Sequence, residues 1–335
     1  MPSSTFDLEE KRLEREVRKR RAKLVLIQLP EGLKPHGPRL AAIVERAGAL
    51  AIVSADPCYG ACDLAIVEAE RLGADLIVHY GHSAMLKQAA VSTLYIEAKA
   101  KSSVKNAVKK TVPYLEQWKK IGLVTTIQHV YKLNEAKNVL LEAGKAVAVG
   151  DAGRLKYAGQ VLGCDYSNAK AVSKEVEAFL FVGGGKFHAL GVALATAKPT
   201  IVADPYEKRA FSIEDETARM LKRRWATIHE AKQAEKIAIL IGLKAGQKRL
   251  DQALKMKKLV EDAGKKATFL ALKEITPEAL MQFPTVDAFI NTACPRLSID
   301  DAKKFRKPLL TPKEMFVVLG ELQWEELCKK GWFES

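Results

Sequence analysis

Short apolar runs alternate with amphipathic segments along the chain, and this pattern occurs three times. Each repeat begins with an apolar run of strand length, followed by a helical pattern that ends in Ala-Gly and by a second β-rich run. The glycines Gly48, Gly144 and Gly264 fit the position just after a helix, where a left-handed backbone is needed. The opening strands are predicted at 23–29, 121–127 and 236–242, and the Ala-Gly segments lie at 45–55, 141–151 and 261–271.

Two further apolar runs complete each repeat. Strands that alternate with helices indicate parallel sheets, and uninterrupted apolar runs such as AFLFV suit strands that are covered on both faces. We therefore predict an α/β fold of three related small parallel-sheet domains around a pseudo-threefold axis. The third strands are predicted at 74–81, 178–185 and 287–294, and the fourth at 92–98, 200–205 and 307–312. The predicted domains are 1–115 with an N-terminal helix, 116–225 and 226–335, with charged joining segments near 99–120 and 214–235.

The N-terminal segment TFDLEEKRLEREVRKRRAK is charged along its length. It predicts a solvated helix and lacks the apolar centre of a signal peptide. The longest apolar runs fall well short of the roughly 18 residues needed to span a bilayer. These features favour a cytoplasmic protein that has no membrane partner.

The 335-residue chain has a formal net charge of +14 at pH 7. A lysine-rich solvated surface is the simpler interpretation, and a polyanionic partner is the alternative. The sequence has no zinc finger, basic zipper or aromatic-rich RNA motif, so we expect no direct sequence-specific nucleic-acid binding. A partner that is itself associated with RNA stays open.

Five cysteines are an odd number, which argues against a disulfide framework and leaves metal binding, catalysis or burial. The stretch DPCYGACD holds Cys58 and Cys62 at the spacing that begins the radical-SAM motif C-x3-C-x2-C. The third cysteine of that motif would fall at position 65, which is Ala65. The local motif is therefore incomplete.

Three cysteines lie at predicted strand ends, and ligands of parallel α/β sheets gather at the carboxyl ends of the strands. Cys62 and Cys164 follow the second strands of the first two repeats, and Cys294 ends the third strand of the third repeat. Three thiolates at one point would suit a 4Fe-4S cluster with one open iron. The alternative is three separate buried or loop thiols, because scattered single cysteines carry no metal signature.

The peptides around these cysteines are YGACD, GQVLGCDYSN and ACPRLSIDD, in this order on the three repeats. With them, the chain resembles the diphthamide-synthesis radical-SAM family, 2-(3-amino-3-carboxypropyl)histidine synthase, and looks most like its archaeal type, which works as a homodimer. The resemblance covers nearly the whole chain, since it extends to QLPEGLK, GHSAM, TTIQHV, GGGKFHALGVALAT, DPY, AGQKRL and RKPLLTPKE.

The resemblance implies that Cys62, Cys164 and Cys294 hold a 4Fe-4S cluster and that S-adenosylmethionine is the substrate. The reduced cluster would break the Cγ–S bond and release methylthioadenosine, and the 3-amino-3-carboxypropyl radical would add to imidazole C2 of a histidine on translation elongation factor 2. An unidentified electron donor is also implied. Cys58 is expected to be an extra neighbouring thiol, with substitute ligation as the alternative, and Cys328 to be structural.

The glycines of GGGKFH are expected to line the S-adenosylmethionine pocket, with a tight turn as the alternative. They do not form a P-loop, because Leu180 and Phe187 stand where that motif needs a glycine and a hydroxyl residue. Gly183, Gly184 and Gly185 still permit close approach of the backbone to a ligand.

Six further side chains complete the predicted site. His82, Gln128 and His188 follow strand ends and are predicted to bind the amino-acid end of the substrate or to move the imidazole proton, with structural roles as the alternative. The others are Arg249 and Arg296, as partners of the substrate carboxylate or, for Arg296, of the cluster, and Asp204, for ribose binding or turn capping.

His79 and His82 form an H-x2-H pair, but strand geometry points such side chains apart. We therefore expect no zinc site there.

Two rival functions stay open. One is a hydrolyase related to quinolinate synthase, in which the open iron acts as a Lewis acid and turnover needs no reductant. The other is a basic translation-associated binding protein with a structural metal. Reductant-dependent cleavage of S-adenosylmethionine distinguishes the radical enzyme from both.

Overall fold

The structure is a computed structural model that describes residues 5–86 and 90–333. It divides the chain into two compact units. The first unit consists of the chain up to Ser102 together with Ile127–Tyr131 and Lys244–Gly246, and the second contains Ser103–Thr126, Lys132–Leu243 and the chain from Gln247 onward. The predicted domain boundaries stay predictions, although each of the three main sheets falls within one predicted range.

The first unit contains a four-stranded parallel sheet of strand order β3-β2-β4-β5 and a short antiparallel pair, β1 with β6. Its elements are β1 (Phe6–Asp7), α1 (Glu10–Arg20), β2 (Leu24–Gln28), α2 (Gly37–Arg46), β3 (Leu50–Val53), α3 (Ile66–Leu72), β4 (Leu76–Tyr80), β5 (Ser92–Ile96) and β6 (Lys99–Ala100), with a 3-10 turn at Glu31–His36.

The second unit contains two sheets, of which the first has the order β11-β10-β9-β7-β8. Only β11 in this sheet is antiparallel to its neighbour. The elements are α4 (Lys105–Lys109), β7 (Lys120–Thr125), α5 (Leu133–Glu142), β8 (Ala146–Ala148), α6 (Ser167–Val172), β9 (Ala178–Val182), α7 (Phe187–Thr196), β10 (Thr200–Asp204), β11 (Arg209–Ser212) and α8 (Glu214–Ala231), with a 3-10 turn at Pro113–Leu115. A further 3-10 turn, Val130–Lys132, begins in the first unit and ends at the first residue of the second unit's next segment.

The other sheet of the second unit has the order β13-β12-β14-β15 and is parallel throughout. Its elements are β12 (Lys236–Gly242), α9 (Leu250–Asp262), β13 (Lys266–Leu272), α10 (Pro277–Met281), β14 (Ala288–Asn291), α11 (Pro295–Ile299), β15 (Leu309–Leu310), α12 (Pro312–Val318) and α13 (Trp324–Lys330), with a 3-10 turn at Ala302–Lys304.

The three parallel sheets share one topology, in which the first strand of each repeat lies between the second and the third, and the fourth pairs with the third. The second sheet adds only β11 to this plan. Gly48, Gly144 and Gly264 have φ values of 94°, 72° and 76°, which is the left-handed backbone that ends a helix and that glycine adopts without strain. The predicted fold class, a parallel α/β protein of three repeats, is confirmed.

The core of the first unit includes one face of α1. Leu13 and Val17 of this helix are buried beside residues of β2 and α2, such as Val25 and Leu40. The prediction of a solvated helix was therefore wrong for this face, because Leu13 and Val17 are four residues apart and project from the same side of the helix. The charged residues around them concealed this narrow apolar stripe.

The charged segment expected to join the second and third domains forms α8, which takes part in the core of the second unit. Met220 and Ile228 are buried, and the buried guanidinium of Arg224 donates from Nε and Nη2 to the two carboxylate oxygens of Glu314 at 2.7 and 2.6 Å. Within residues 5–86 and 90–333, no helix is long and apolar enough to cross a membrane.

Candidate functional site

Cys62 lies where the sequence predicts it, in the loop between β3 and α3 at the carboxyl edge of the first sheet. This loop is held by a backbone hydrogen bond from the Gly246 amide to the Cys62 carbonyl, at 2.8 Å. A Cβ atom on Gly246 would lie 2.5 Å from the Cys62 Cα atom, which is closer than atoms of a folded protein approach. Gly246 is thus the residue that permits this contact.

An ion pair ties the same loop to the segment Lys244–Gly246. Lys244 Nζ lies 2.9 Å from Asp63 Oδ2, with side-chain exposures of 5% and 12%, and it also stands 4.2 Å from the ring centre of Tyr59. Gln28 at the end of β2 donates from Nε2 to the Asp63 carbonyl at 2.6 Å. Sequence reasoning missed Lys244, whose only signal was its position just after an apolar strand and before AGQKRL.

Cys58, His79 and His82 come together in the first unit, with one donor atom from each lying within 4.8 Å of the others. His79 Nε2 is 3.0 Å from His82 Nδ1. The expectation that the two imidazoles point apart was wrong. His79 is in β4, but Gly81, with a φ of 81°, turns the chain just after the strand, so that His82 returns toward His79.

Burial sets the protonation of this trio. It lowers the pKa of His79 to about 3, with a smaller contribution from His82, and it lowers the pKa of His82 to about 4. Burial and the neighbouring Asp63 raise the pKa of the Cys58 thiol to about 12. At neutral pH both imidazoles are therefore neutral and the thiol is protonated.

Gln128 contacts the backbone turn at Gly81, which lies between β4 and His82. Its side-chain Nε2 donates to the Gly81 carbonyl at 2.7 Å, and its own carbonyl accepts from the Ala100 amide at 2.9 Å. The structure thus brings two of the three predicted catalytic residues into one region of the first unit. The contact of Gln128 is with the backbone turn that carries His82.

Cys164 and Cys294 lie in the second unit, each in a loop that follows a strand at the carboxyl edge of its own sheet. Cys294 is the N-cap residue of α11, and its carbonyl accepts from Asn291 Nδ2 at 2.7 Å. A Cβ atom on Gly163, which precedes Cys164, would lie 3.6 Å from Cγ of Arg296, which is two residues after Cys294. Burial raises the pKa of the nearby Tyr166, and Arg296 opposes that rise. The structure therefore brings Cys164 and Cys294 into one neighbourhood.

Arg296 is part of that neighbourhood and is 5% exposed. Its guanidinium lies 3.7 Å from the ring centre of Phe187, donates to the Phe187 carbonyl at 2.7 Å and donates to Asp300 Oδ1 at 2.8 Å. A Cβ atom on Gly163, the residue before Cys164, would lie 2.9 Å from the Phe187 ring. Burial raises the pKa of Asp300 to about 6, against the opposing effect of Arg296.

The glycine loop after β9 is anchored by Asp204. The Asp204 carboxylate accepts from the Gly185 amide at 3.1 Å and from the Tyr206 and Glu207 amides at 2.9 and 3.1 Å. These three hydrogen bonds give Asp204 the turn-capping role that was the alternative to ribose binding, and they hold the glycine loop against the turn after β10. Gly185 has a φ of 71°, so its backbone requires glycine.

His188 and Arg249 lie elsewhere in the second unit. His188, in the first turn of α7, stacks on Phe181 with 5.8 Å between ring centres and contacts the edge of Phe187. Arg249 is the N-cap residue of α9 and lines a groove with Pro312 and Phe316. The roles of Gly183, Gly184, Gly185, His188 and Arg249 toward a substrate stay predictions.

The fold and these loops define a class of α/β proteins in which each of three similar parallel sheets presents a cysteine at its carboxyl edge. The chain belongs to the family described as putative diphthamide synthesis protein, whose model matches residues 29–328. This is the family that the cysteine peptides indicated.

Named relatives agree with this assignment. The chain is 38% identical over 318 residues to the 2-(3-amino-3-carboxypropyl)histidine synthase of Pyrococcus horikoshii, and the aligned region covers 93% of this chain and 91% of the relative. It is 33% identical over 327 residues to 2-(3-amino-3-carboxypropyl)histidine synthase subunit 1 of Gallus gallus, covering 95% of this chain and 78% of the relative.

A solved structure has the same fold. The crystal structure of Dph2 from Pyrococcus horikoshii with a 4Fe-4S cluster superposes with a TM-score of 0.88 at 36% sequence identity, over 98% of this chain and 95% of that one. A second crystal structure of the same protein gives the same TM-score at 37% identity.

Proposed function

We propose that this protein catalyses the first step of diphthamide biosynthesis. It transfers the 3-amino-3-carboxypropyl group of S-adenosylmethionine to imidazole C2 of a histidine on translation elongation factor 2, with release of methylthioadenosine. The observation that carries this proposal is the position of Cys62, Cys164 and Cys294, each at the carboxyl edge of one of three similar sheets, in a chain that matches Dph2 along nearly its whole length.

The three thiols fit a 4Fe-4S cluster chemically. All three cysteines are of intermediate exposure, lie on loops and form no disulfide. Thiolates are the donors that iron–sulfur clusters use, and three of them leave one iron open to a substrate. Cys62, Cys164 and Cys294 are accordingly the proposed ligands, and Cys58 is left for another role.

When bound and reduced, the cluster supplies the electron that cleaves the Cγ–S bond of the sulfonium. Residues of the chain hold the loops of the three cysteines in place. The paired contacts of Lys244 and Gly246 fix the Cys62 loop, and Arg296 braces the loops that carry Cys164 and Cys294 through Phe187 and Asp300. The glycine loop at 183–185 carries no side chains, which permits close approach of the substrate, while the Gly183 and Gly185 amides anchor the loop to Ala203 and Asp204.

Several finer features belong to the same proposal. The enzyme acts as a radical-SAM transferase in the cytoplasm, as a homodimer, with elongation factor 2 as protein substrate and a separate electron donor. Gln128 and His188 are proposed to contact the amino-acid end of S-adenosylmethionine or the imidazole of the substrate histidine. His82, predicted from the sequence to act with them, lies instead in the trio with Cys58 and His79.

The test uses anaerobically purified, iron–sulfur-reconstituted protein incubated with S-adenosylmethionine, with and without dithionite. We expect methylthioadenosine only with dithionite, identified by chromatography and mass. Deoxyadenosine as the product would contradict cleavage at the γ-carbon. No cleavage by protein that carries a full cluster would favour a Lewis-acid or structural role for the metal.

Cysteine variants test the ligand assignment. Cys62→Ala, Cys164→Ala and Cys294→Ala are each expected to lose the cluster absorbance and the cleavage, because each removes a thiolate. Cys328→Ala is the matched control, since Cys328 lies on α13 beside the apolar core of the second unit, and it is expected to retain both. Full iron, sulfide and activity in Cys164→Ala would overturn the assignment.

A further inference from the structure

We infer that Cys58, His79 and His82 form a second metal site, separate from the three proposed cluster ligands, which takes a single divalent ion of the zinc class. Two imidazole nitrogens and one thiolate are donors that zinc prefers, and three protein ligands leave the fourth position of a tetrahedron open. The inference stands on the geometry of the first unit and does not depend on the proposed transferase activity.

Gln28 determines which nitrogen of His79 carries the proton. The Ala65 amide donates to Gln28 Oε1 at 3.1 Å, and Gln28 Nε2 donates to the Asp63 carbonyl at 2.6 Å, so the orientation of this side-chain amide is settled by two partners. His79 Nδ1 lies 2.8 Å from the same Oε1. An oxygen that only accepts requires the proton on Nδ1.

The tautomer of His79 leaves its Nε2 lone pair directed at the trio. That nitrogen accepts a hydrogen bond from His82 Nδ1 at 3.0 Å, which a bound ion would replace as the His82 proton moves to Nε2, and the Cys58 sulfur is within 4.8 Å of both rings' ligand atoms. Metal-ligating histidines show this arrangement, in which the far N–H is held by a carbonyl or carboxylate and the near nitrogen is presented to the ion. Gln28 is thus the orienting residue of the site.

Spacing and burial both suit an ion of this size. A tetrahedral zinc ion with bonds of about 2.0–2.3 Å holds its donors about 3.3–3.8 Å apart, so small side-chain rotations bring the three atoms into range. His79 is 0% and Cys58 4% exposed. A neutral imidazole is the state that ligates, and the Cys58 thiol would release one proton to solvent as its sulfur bonds to the metal.

The site also has a structural consequence for the cluster loop. Cys58 and Cys62 are in the same loop after β3, whereas His79 and His82 flank the end of β4. A metal bound to the trio would therefore tether the loop that carries Cys62 to the carboxyl edge of the central strands. This tether would act together with the contacts of Lys244 and Gly246.

The test removes the cluster ligands first. Full-length metal-free protein with Cys62→Ser, Cys164→Ser and Cys294→Ser is titrated anaerobically with Co²⁺, whose tetrahedral thiolate complexes absorb in the near ultraviolet and the visible. We expect one equivalent to bind with a sulfur-to-cobalt charge-transfer band and tetrahedral ligand-field bands, and Zn²⁺ to displace it. No charge-transfer band in this protein would overturn the inference.

Two further variants assign the thiol. Adding Cys328→Ser leaves Cys58 as the last cysteine and is expected to preserve the band, whereas adding Cys58→Ser instead is expected to abolish it. The opposite pattern would overturn the inference. His82→Ala, which keeps the thiol, is expected to weaken cobalt binding by at least about 100-fold, and circular dichroism of each variant establishes that it is folded.

Discussion

Two buried polar clusters, one in each unit, differ in the number of hydrogen bonds that their acceptor atoms receive. In the second unit, the Glu314 carboxylate accepts from Arg224 Nε and Nη2, from Trp332 Nε1 at 2.8 Å and from the Thr311 amide at 2.7 Å. In the first unit, the trio Cys58, His79 and His82 is linked internally by a single contact of 3.0 Å between the two rings.

The difference indicates what each cluster is for. A carboxylate that receives four N–H groups has no capacity left for a ligand, so the Arg224–Glu314 pair joins α8, α12 and the C-terminal segment as part of the architecture. Two neutral imidazoles and a thiol that converge on one point keep lone pairs that a metal ion satisfies. Burial of polar groups is common to both clusters, and the number of hydrogen bonds that the acceptor atoms already receive separates the structural pair from the candidate site.

The largest effect is expected from breaking the buried ion pair of Arg224 and Glu314. Glu314→Ala leaves a buried guanidinium without its partner and should lower the free energy of unfolding by about 3–5 kcal/mol. Urea unfolding followed by circular dichroism measures the change. The double variant Arg224→Met with Glu314→Leu removes both charges and should recover much of the loss. A decrease below about 1 kcal/mol in Glu314→Ala would contradict the structural role.

The second-largest effect is expected at Gly246, whose backbone contacts the loop that carries Cys62. Gly246→Ala would place a methyl group 2.5 Å from the Cys62 Cα atom and so displaces the loop. A shift near 1 Å should reduce reductant-dependent methylthioadenosine formation by about 100-fold.

Gly60→Ala is the matched control for that loop. Its Cβ atom would stand 3.6 Å from Cys62 Sγ, which is ordinary contact, so activity should stay close to that of the unchanged protein. Equal activity of the two variants would show that Gly246 does not position Cys62.

A smaller effect is expected at Gln28, on metal binding by Cys58, His79 and His82. Gln28→Leu removes the acceptor that orients His79 and should weaken Co²⁺ binding by about 10–100-fold in the protein that lacks the cluster ligands. Gln28→Glu keeps an acceptor oxygen for Nδ1–H but loses the donor to the Asp63 carbonyl, so it should retain more of the affinity than Gln28→Leu. Affinity unchanged by Gln28→Leu would mean that the tautomer of His79 is not what prepares the site.

The smallest effect is expected at Cys328. This half-buried thiol packs at the edge of the second unit's core, and Cys328→Ser should change the free energy of unfolding by about 1 kcal/mol or less. Cluster content and cobalt binding should both be unaffected. A loss of either one would mean that Cys328 is a ligand of the iron–sulfur cluster or of the cobalt site, contrary to both assignments.

The sequence by itself determined the repeated α/β plan and the candidate cysteines. Strand positions follow from short uninterrupted apolar runs, and the helix ends follow from Ala-Gly pairs, because both signals are local to a few residues. The strand-end rule then placed Cys62, Cys164 and Cys294 at sheet edges, where the structure has them. Their role as cluster ligands stays a proposal, and the resemblance to the family was carried by peptides that the sequence shows directly.

Only the tertiary structure decided how distant polar groups are paired. Lys244 meets Asp63 across 181 residues, and Arg224 meets Glu314 across 90, and no periodicity relates such positions. The trio of Cys58, His79 and His82 depends on one backbone turn at Gly81, which reverses the direction that strand alternation predicts for His82. Local patterns indicate which face of an element is apolar. A polar site depends on turns of the chain and on long-range contacts, and these form only when the sheets pack.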